Sequence, residues 1–177
     1  MKNFASKFMD IMIGIVLGLG FQWWTELKEP WQYIAFIFIY ISIIDYWIDT
    51  SSALKKYPPK KELDLMIDVA IMFTLFLLIY SSLKTIPYLM ITFIVFRFFD
   101  SFWIVRKIHE HATNMADKHV FNIWLKFNAT DILVAGVLIT ASYNQILTSL
   151  YALIIFIIFR VSSRIIASLR YKKIYFA

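Results

Sequence analysis

Apolar residues fall into six blocks of about twenty, and polar segments of a few to about fifteen residues separate them. A run of about twenty apolar residues is the length that an α-helix needs to cross a hydrocarbon core of roughly 30 Å. The pattern therefore predicts an all-α fold, a polytopic membrane helix bundle of six transmembrane helices. The predicted spans cover residues 8–25, 31–50, 63–83, 86–106, 120–142 and 146–167.

The composition changes this picture little and excludes several classes of function. Of the 177 residues, 60% are hydrophobic, whereas soluble domains have about 45–50%. The short linkers leave no room for a soluble catalytic or sensor domain, so we interpret residues 1–177 as a single transmembrane domain. The absence of cysteine excludes structural disulfides, thiolate metal sites and thiol redox chemistry. No small-x-small cleavage site follows the basic N-terminal residues, so we interpret the first block as a span and not as a signal peptide.

Basic residues are distributed unequally between the two sets of loops. The segments after spans two and four and both termini hold Lys55, Lys56, Lys60, Lys61, Arg106, Lys107, Lys118, Lys2, Lys7, Arg170, Lys172 and Lys173. The opposite loops hold only Lys28 and Lys84. By the positive-inside rule, we expect a multi-pass protein of the cell membrane with both termini in the cytoplasm. Orientation and anionic lipid account for the net charge of +6, so we expect the lipid bilayer as a partner and no nucleic acid.

A short motif recurs in the second half of the chain and indicates an internal repeat. Phe-Ile-Val-Phe-Arg at 93–97 returns as Phe-Ile-Ile-Phe-Arg at 156–160, and the same offset places Asp68 on Asp131. With a fainter first copy, the repeat predicts three two-helix hairpins related by a pseudo-threefold axis along the membrane normal. The hairpins cover about 8–50, 63–106 and 120–167.

Charged residues within the predicted spans carry the candidate chemistry, since each costs roughly 2.5–3.5 kcal/mol at mid-membrane and so needs a partner or a purpose. Nearly all of them lie in the cytoplasmic half. We predict a polar core that faces the cytoplasm, with an apolar plug on its outer side. Its predicted residues are Asp68, Arg97, Asp100, Lys126, Asp131, Arg160 and Arg164.

The favoured function is permeation of a proton, a cation or a small solute through this core. Asp68, Asp100 and Asp131 are the expected proton or cation sites, and Arg97 and Arg160 the counter-charges. The excess of carboxylates over basic groups in the spans favours a cation or a proton over an anion. The alternative is that the same groups form buried pairs that lock the hairpins together, as in a structural or assembly subunit of a membrane complex.

An enzyme is a further alternative, because two pairs of carboxylates lie one helical turn apart. Asp45 and Asp49 form one pair, and Asp64 and Asp68 the other; such pairs can hold Mg²⁺ against a diphosphate. Membrane prenyltransferases and alcohol phosphotransferases use similar Asp-rich motifs, but their glycines and accompanying Asn or Arg are missing here. A metal-dependent lipid-headgroup or prenyl-diphosphate enzyme is therefore less favoured, and we expect no cofactor.

The first span contains the spacing that lets two helices approach closely. Gly14 and Gly18 form a Gly-x-x-x-Gly pair, which permits close helix contact in membranes. The sequence leaves open whether this face packs inside the bundle or against a second copy in a homo-oligomer.

Overall fold

A computed structural model describes residues 2–111 and 114–171, with side chains described for 7–111 and 114–169. In these ranges all regular structure is helical. The six α-helices are α1 Lys2–Phe21, α2 Pro30–Lys56, α3 Glu62–Ser81, α4 Ile86–His111, α5 Met115–Tyr143 and α6 Ser149–Tyr171, and a short 3₁₀ helix, Gln22–Glu26, follows α1.

The prediction of six helices is confirmed, and each is long and apolar enough to cross a membrane. The ends differ from the predicted spans. Helix α2 continues to Lys56, α4 continues to His111, and α5 already begins at Met115. The apolar pattern marks only the part of a helix that suits lipid, whereas local chemistry sets the ends: Pro58 and Pro59 follow α2, and the Asn114 side chain accepts a hydrogen bond from the first turn of α5.

Successive helices alternate in direction, so the five connections lie at two ends of the bundle. We call the end with the α2–α3 and α4–α5 connections the basic end, after Lys55, Lys56, Lys60, Lys61, Arg106 and Lys118. There Arg106 near the end of α4 contacts Asp64 at the start of α3, with 2.8 Å between Nη2 and Oδ1. At the opposite end, Gln32 near the start of α2 donates a hydrogen bond of 3.3 Å to the carbonyl of Leu83, just after α3.

The helices form a ring in the order α1, α3, α4, α5, α6, α2, with further contacts of α2 with α3 and of α4 with α6. This arrangement leaves α2, α4, α5 and α6 around a common space in the basic half. The pseudo-threefold repeat stays a prediction. The fainter first copy places Asp10 at the position of Asp68 and Asp131, but Asp10 is exposed whereas Asp68 and Asp131 are buried.

Phenylalanine rings from three helices close the core next to that space. The ring centroids of Phe93 and Phe156 are 4.9 Å apart in an edge-to-face arrangement, and those of Phe38 and Phe156 are 6.2 Å apart. We call Phe38, Phe93 and Phe156 the aromatic plug. Such aromatic pairs contribute about 0.5–1.5 kcal/mol each beyond area burial, so the plug ties α2, α4 and α6 together.

The glycine pair of α1 faces the outside of the bundle. No described atom outside the local helix lies within 4 Å of the position that a Cβ would take at Gly14 or Gly18. Gly20 is different, because a Cβ there would lie 2.7 Å from Ile79 Cδ1 and 3.0 Å from the Tyr40 hydroxyl. Close packing of α1 within the bundle thus occurs at Gly20 and not at the predicted pair.

A polar contact at the basic end joins the α2–α3 connection to α5. The buried Tyr57 hydroxyl donates a hydrogen bond to the Asp117 carboxylate, and Lys56 Nζ lies 3.1 Å from the same carboxylate. Burial and the neighbouring Asp117 raise the pKa of the Tyr57 phenol above its usual value.

We expect Tyr57→Phe to lower the free energy of unfolding by about 1.5–3 kcal/mol at pH 7, because the lost hydrogen bond has a charged acceptor. The folded pKa of Tyr57 is raised, so its contribution is fully present below the unfolded pKa of about 10 and is lost as pH rises from there through the folded pKa. The difference between wild type and variant, measured by thermal unfolding in detergent, should therefore shrink above about pH 10. Tyr143→Phe, at an exposed position, is the control. Equal stability of Tyr57→Phe and wild type at pH 7 would contradict the prediction.

Candidate functional site

A polar cavity of about 70 Å³ lies in the basic half of the bundle between α2, α4, α5 and α6. Its lining residues are Ser42, Asp45, Tyr46, Asp49, Thr50, Arg97, Asp100, Trp124, Phe127, Asn128, Arg160, Ser163, Arg164 and Ala167. One water needs about 10–15 Å³ of such volume and two to four polar partners. The cavity therefore has room and partners for several waters, and we call it the vestibule.

The inner end of the vestibule is an ionic triad centred on Asp131. This carboxylate is 0% exposed and accepts a hydrogen bond of 2.6 Å from Arg160 Nη1. Arg97 Nε lies 3.0 Å from the same oxygen as an ion pair, although its N–H is not aligned for a hydrogen bond. One carboxylate from α5 thus lies between guanidinium groups from α4 and α6, and it offsets their mutual repulsion.

The two guanidinium groups of the triad lie against the aromatic plug. Arg97 Cζ is 5.0 Å from the ring centroid of Phe93 and 4.9 Å from that of Phe96. Arg160 Cζ is 5.5 Å from the centroid of Phe93. Cations at this distance from an aromatic face are stabilised by about 0.5–2 kcal/mol. The inner end of the polar vestibule therefore lies against the apolar plug, where Phe93 contacts both guanidinium groups.

Asp100 extends the network toward α5. Asn128 Nδ2 donates to Asp100 Oδ2 at 2.7 Å and to Ser101 Oγ at 3.2 Å. Arg97 Nη1 is 3.4 Å from the same Asp100 oxygen. A buried carboxylate needs such donors, because an unpaired charge in a low-dielectric interior is costly.

The outer part of the vestibule is bridged by Arg164 of α6. Its Nε lies 2.8 Å from Asp45 Oδ2, and its Nη1 lies 2.6 Å from Asp49 Oδ2. The two carboxylates are one helical turn apart on α2, so a single guanidinium reaches both. The side chains of Arg164 and Asp45 remain 28% and 36% exposed, so this part of the cavity is open to solvent, unlike the triad.

The bundle brings together five of the seven residues that were predicted to form the polar core. These are Arg97, Asp100, Asp131, Arg160 and Arg164. Asp68 lies apart, on α3, where Trp103 Nε1 donates to its Oδ1 at 2.7 Å. Lys126 is exposed on α5, because it precedes Asn128 by two residues, and side chains two apart on a helix point in nearly opposite directions.

The four candidate metal-binding carboxylates belong to two separate sites, and basic groups already engage three of them. Asp45 and Asp49 bind Arg164 on α6. Asp64 binds Arg106 on α4 and accepts hydrogen bonds from the amides of residues 60 and 61. Among the described residues, no group of three or more His, Cys, Asp or Glu is placed to hold a metal ion.

Several polar residues of the basic half were not predicted. Asn128 precedes Asp131 by three residues and so shares its helix face, which is a signal that the spacing contained. Lys107 was assigned to a loop but is 1% exposed within α4, with Nζ 5.4 Å from the ring centroid of Trp103. Its position one turn after Trp103 on the same face indicated burial. Within the described part of the chain, Lys107 Nζ has no hydrogen-bond partner.

Three carboxylates and three guanidinium groups line the vestibule, and a fourth carboxylate, Asp131, lies behind Arg97 and Arg160. Carboxylates in such surroundings can exchange protons or hold a small cation, whereas an anion would meet an excess of negative charge. No protein-family model, curated protein or solved structure matches this chain.

Proposed function

We propose that the chain is an integral protein of the cell membrane and that its vestibule is the cytoplasmic part of a pathway for protons or small monovalent cations. In this proposal all six helices cross the bilayer, and both termini lie in the cytoplasm with the basic end, as the positive-inside rule favours. The observation that carries it is the buried Asp131, paired with Arg97 and Arg160, which line the vestibule and lie against Phe93 of the aromatic plug.

The outside of the bundle supports the membrane placement. Large apolar side chains cover it, among them Ile154, Ile158 and Ile165 on α6. Contiguous apolar surfaces of this kind are rare on soluble proteins. Lipid chains would cover them and leave the vestibule as the hydrated part of the span.

The charges of the vestibule favour a cation as the permeant species. With all seven groups ionised, the three lining carboxylates balance the three lining guanidinium groups, and Asp131 behind them adds one negative charge. The plug then acts as the barrier, since a hydrophobic constriction blocks ions when it is dry and conducts when it is hydrated. Asp131 is the last carboxylate before that barrier, so it is the proposed proton or cation site.

Flux of protons and of monovalent cations into proteoliposomes tests the proposal through two variants with opposite expected effects. Asp131→Asn leaves two guanidinium groups without their carboxylate and should lower cation flux at least tenfold, since a unit charge at about 5 Å contributes roughly 3 kcal/mol at an effective dielectric constant of 20. Arg160→Gln makes the vestibule more negative and should raise cation flux. Asp10→Asn, which removes an exposed carboxylate, should leave flux unchanged.

Folded protein is confirmed for each variant before flux is measured. Opposite changes in the two triad variants cannot arise from partial unfolding alone. Absence of flux of any tested ion under both polarities and from pH 5 to 8 would overturn the permeation pathway.

A structural role is the second candidate, and the pairing within the vestibule favours it. The triad, together with the bridge from Arg164 to Asp45 and Asp49, connects α2, α4, α5 and α6. A subunit that only assembles with other proteins would need these bridges for folding alone. This structural role predicts that the charge swap Asp131→Arg with Arg160→Asp restores the folded yield that either single substitution lowers. It also predicts that no variant changes ion flux.

A further inference from the structure

A second cavity lies outside the vestibule, on the surface of α5. It has a volume of about 430 Å³ and is lined by His119, Ile123, Lys126, Phe127 and Thr130, and we call it the α5 groove. All five lining residues lie on α5, so it is a groove on the outer surface of the bundle and not an enclosed cavity. Phe127 also lines the vestibule, so this ring separates the two cavities.

Lys126 gives the α5 groove an unbalanced positive charge. Its side chain is exposed, and within residues 7–111 and 114–169 it forms no ion pair within 4.0 Å. An exposed cation on the outer surface of a span, with no ion pair in the described part of the chain, needs a partner outside the chain. The neighbouring Ile123 and Phe127 supply apolar surface beside it.

The depth of the α5 groove matches the boundary between headgroups and acyl chains. Lys126 follows Lys118 of the basic end by eight residues, which is about 12 Å along the helix. A lysine below the boundary extends its side chain back toward the headgroups while its methylenes contact apolar surface. His119 lies seven residues before Lys126 on the same face, about two turns closer to the water and at the level of the headgroups.

We propose that the α5 groove binds the phosphate headgroup of an anionic phospholipid, with Lys126 and His119 as donors and the acyl chains against Ile123 and Phe127. The site rests on the membrane placement of the proposed function but not on ion permeation. A free polar anion has no acyl chain to contact the apolar residues Ile123 and Phe127 of the groove. The charge of Lys126 distinguishes an anionic headgroup from a zwitterionic one, and basic sites at the cytoplasmic membrane surface bind anionic lipids in this way.

The test uses the full chain in phosphatidylcholine vesicles that contain a trace of spin-labelled phosphatidylglycerol or of spin-labelled phosphatidylcholine. Electron paramagnetic resonance measures the fraction of each label that is immobilised at the protein surface. Wild type should immobilise phosphatidylglycerol preferentially. Lys126→Gln should reduce that preference about fivefold, the ratio that corresponds to about 1 kcal/mol per basic residue, whereas Lys126→Arg should retain it.

Lys118→Gln is the matched control, because it removes the same charge from an exposed position outside the groove lining. An equal loss in both glutamine variants would mean general attraction to the basic end and would overturn the site. Release of the lipid by water-soluble glycerol phosphate would also overturn it, since the acyl chains would then contribute nothing. Immobilisation of neither label would overturn the membrane placement itself, whereas loss of flux with lipid preference intact would overturn only the permeation pathway.

Discussion

Asp131→Ala is expected to lower the free energy of unfolding by about 3–5 kcal/mol, the cost of removing one partner from a buried ion pair. The carboxylate is fully buried, and its loss leaves Arg97 and Arg160 facing each other in a low-dielectric interior. Repulsion between the two cations then adds to their desolvation. Thermal unfolding in detergent, followed by circular dichroism, measures the effect.

The control for this prediction is Asp10→Ala, which removes an exposed carboxylate and should change stability by less than about 0.5 kcal/mol. A double-mutant cycle with Arg160→Gln should give an interaction energy of about 0.5–3 kcal/mol, as for residues in one salt-bridge network. If Asp131→Ala unfolded at the temperature of Asp10→Ala, the triad would not hold α4, α5 and α6 together.

Phe156→Ala should lower the free energy of unfolding about as much as Asp131→Ala does. It should raise ion flux, which Asp131→Asn is expected to lower. The ring of Phe156 is fully buried and contacts Phe93 and Phe38. Its removal leaves a cavity, for which Phe→Ala substitutions cost about 3–5 kcal/mol. Lost van der Waals contacts dominate in a bilayer, where apolar burial alone gives no driving force.

The same cavity would let water reach through the plug, so proton or cation flux in proteoliposomes should rise above that of wild type. Phe98→Ala is the matched control, since Phe98 lies on the exposed face of α4. Its stability and flux should both stay close to wild type. Unchanged flux in a destabilised but folded Phe156→Ala protein would place the barrier elsewhere.

The sequence predicted the helices well because membrane spans depend on a simple property, the length of an apolar run. It predicted their ends less well, since α2 continues to Lys56 and α4 to His111, beyond the predicted span ends at residues 50 and 106. The orientation of some charges was also predictable. Arg97 with Asp100, and Arg160 with Arg164, share helix faces by their spacing, and both faces line the vestibule.

The sequence prediction placed Asp68 and Lys126 in the polar core with Asp131. Spacing along the chain could have separated Lys126 from this group, but it could not have separated Asp68. Lys126 and Asp131 are five residues apart, about 140° around the helix, so a helical wheel would have separated them. Asp68 shares no such relation with Asp131, because the two lie on different helices. Which helices surround the vestibule is decided by tertiary packing, and α3 packs against α1, α2 and α4 and contributes no lining residue.

The accessibility of a single cysteine in the vestibule tests most directly whether it is a water-filled cavity that opens at the basic end. The chain contains no cysteine, so Ser163→Cys, at a lining position, would carry the only thiol. Lys118→Cys at the basic end and Tyr143→Cys at the opposite end would mark the two sides of the membrane. A small charged thiol reagent that cannot cross the bilayer should modify Ser163→Cys from the side that modifies Lys118→Cys and leave it intact from the other side. Modification from the Tyr143→Cys side, or from neither side while Lys118→Cys reacts, would contradict the account.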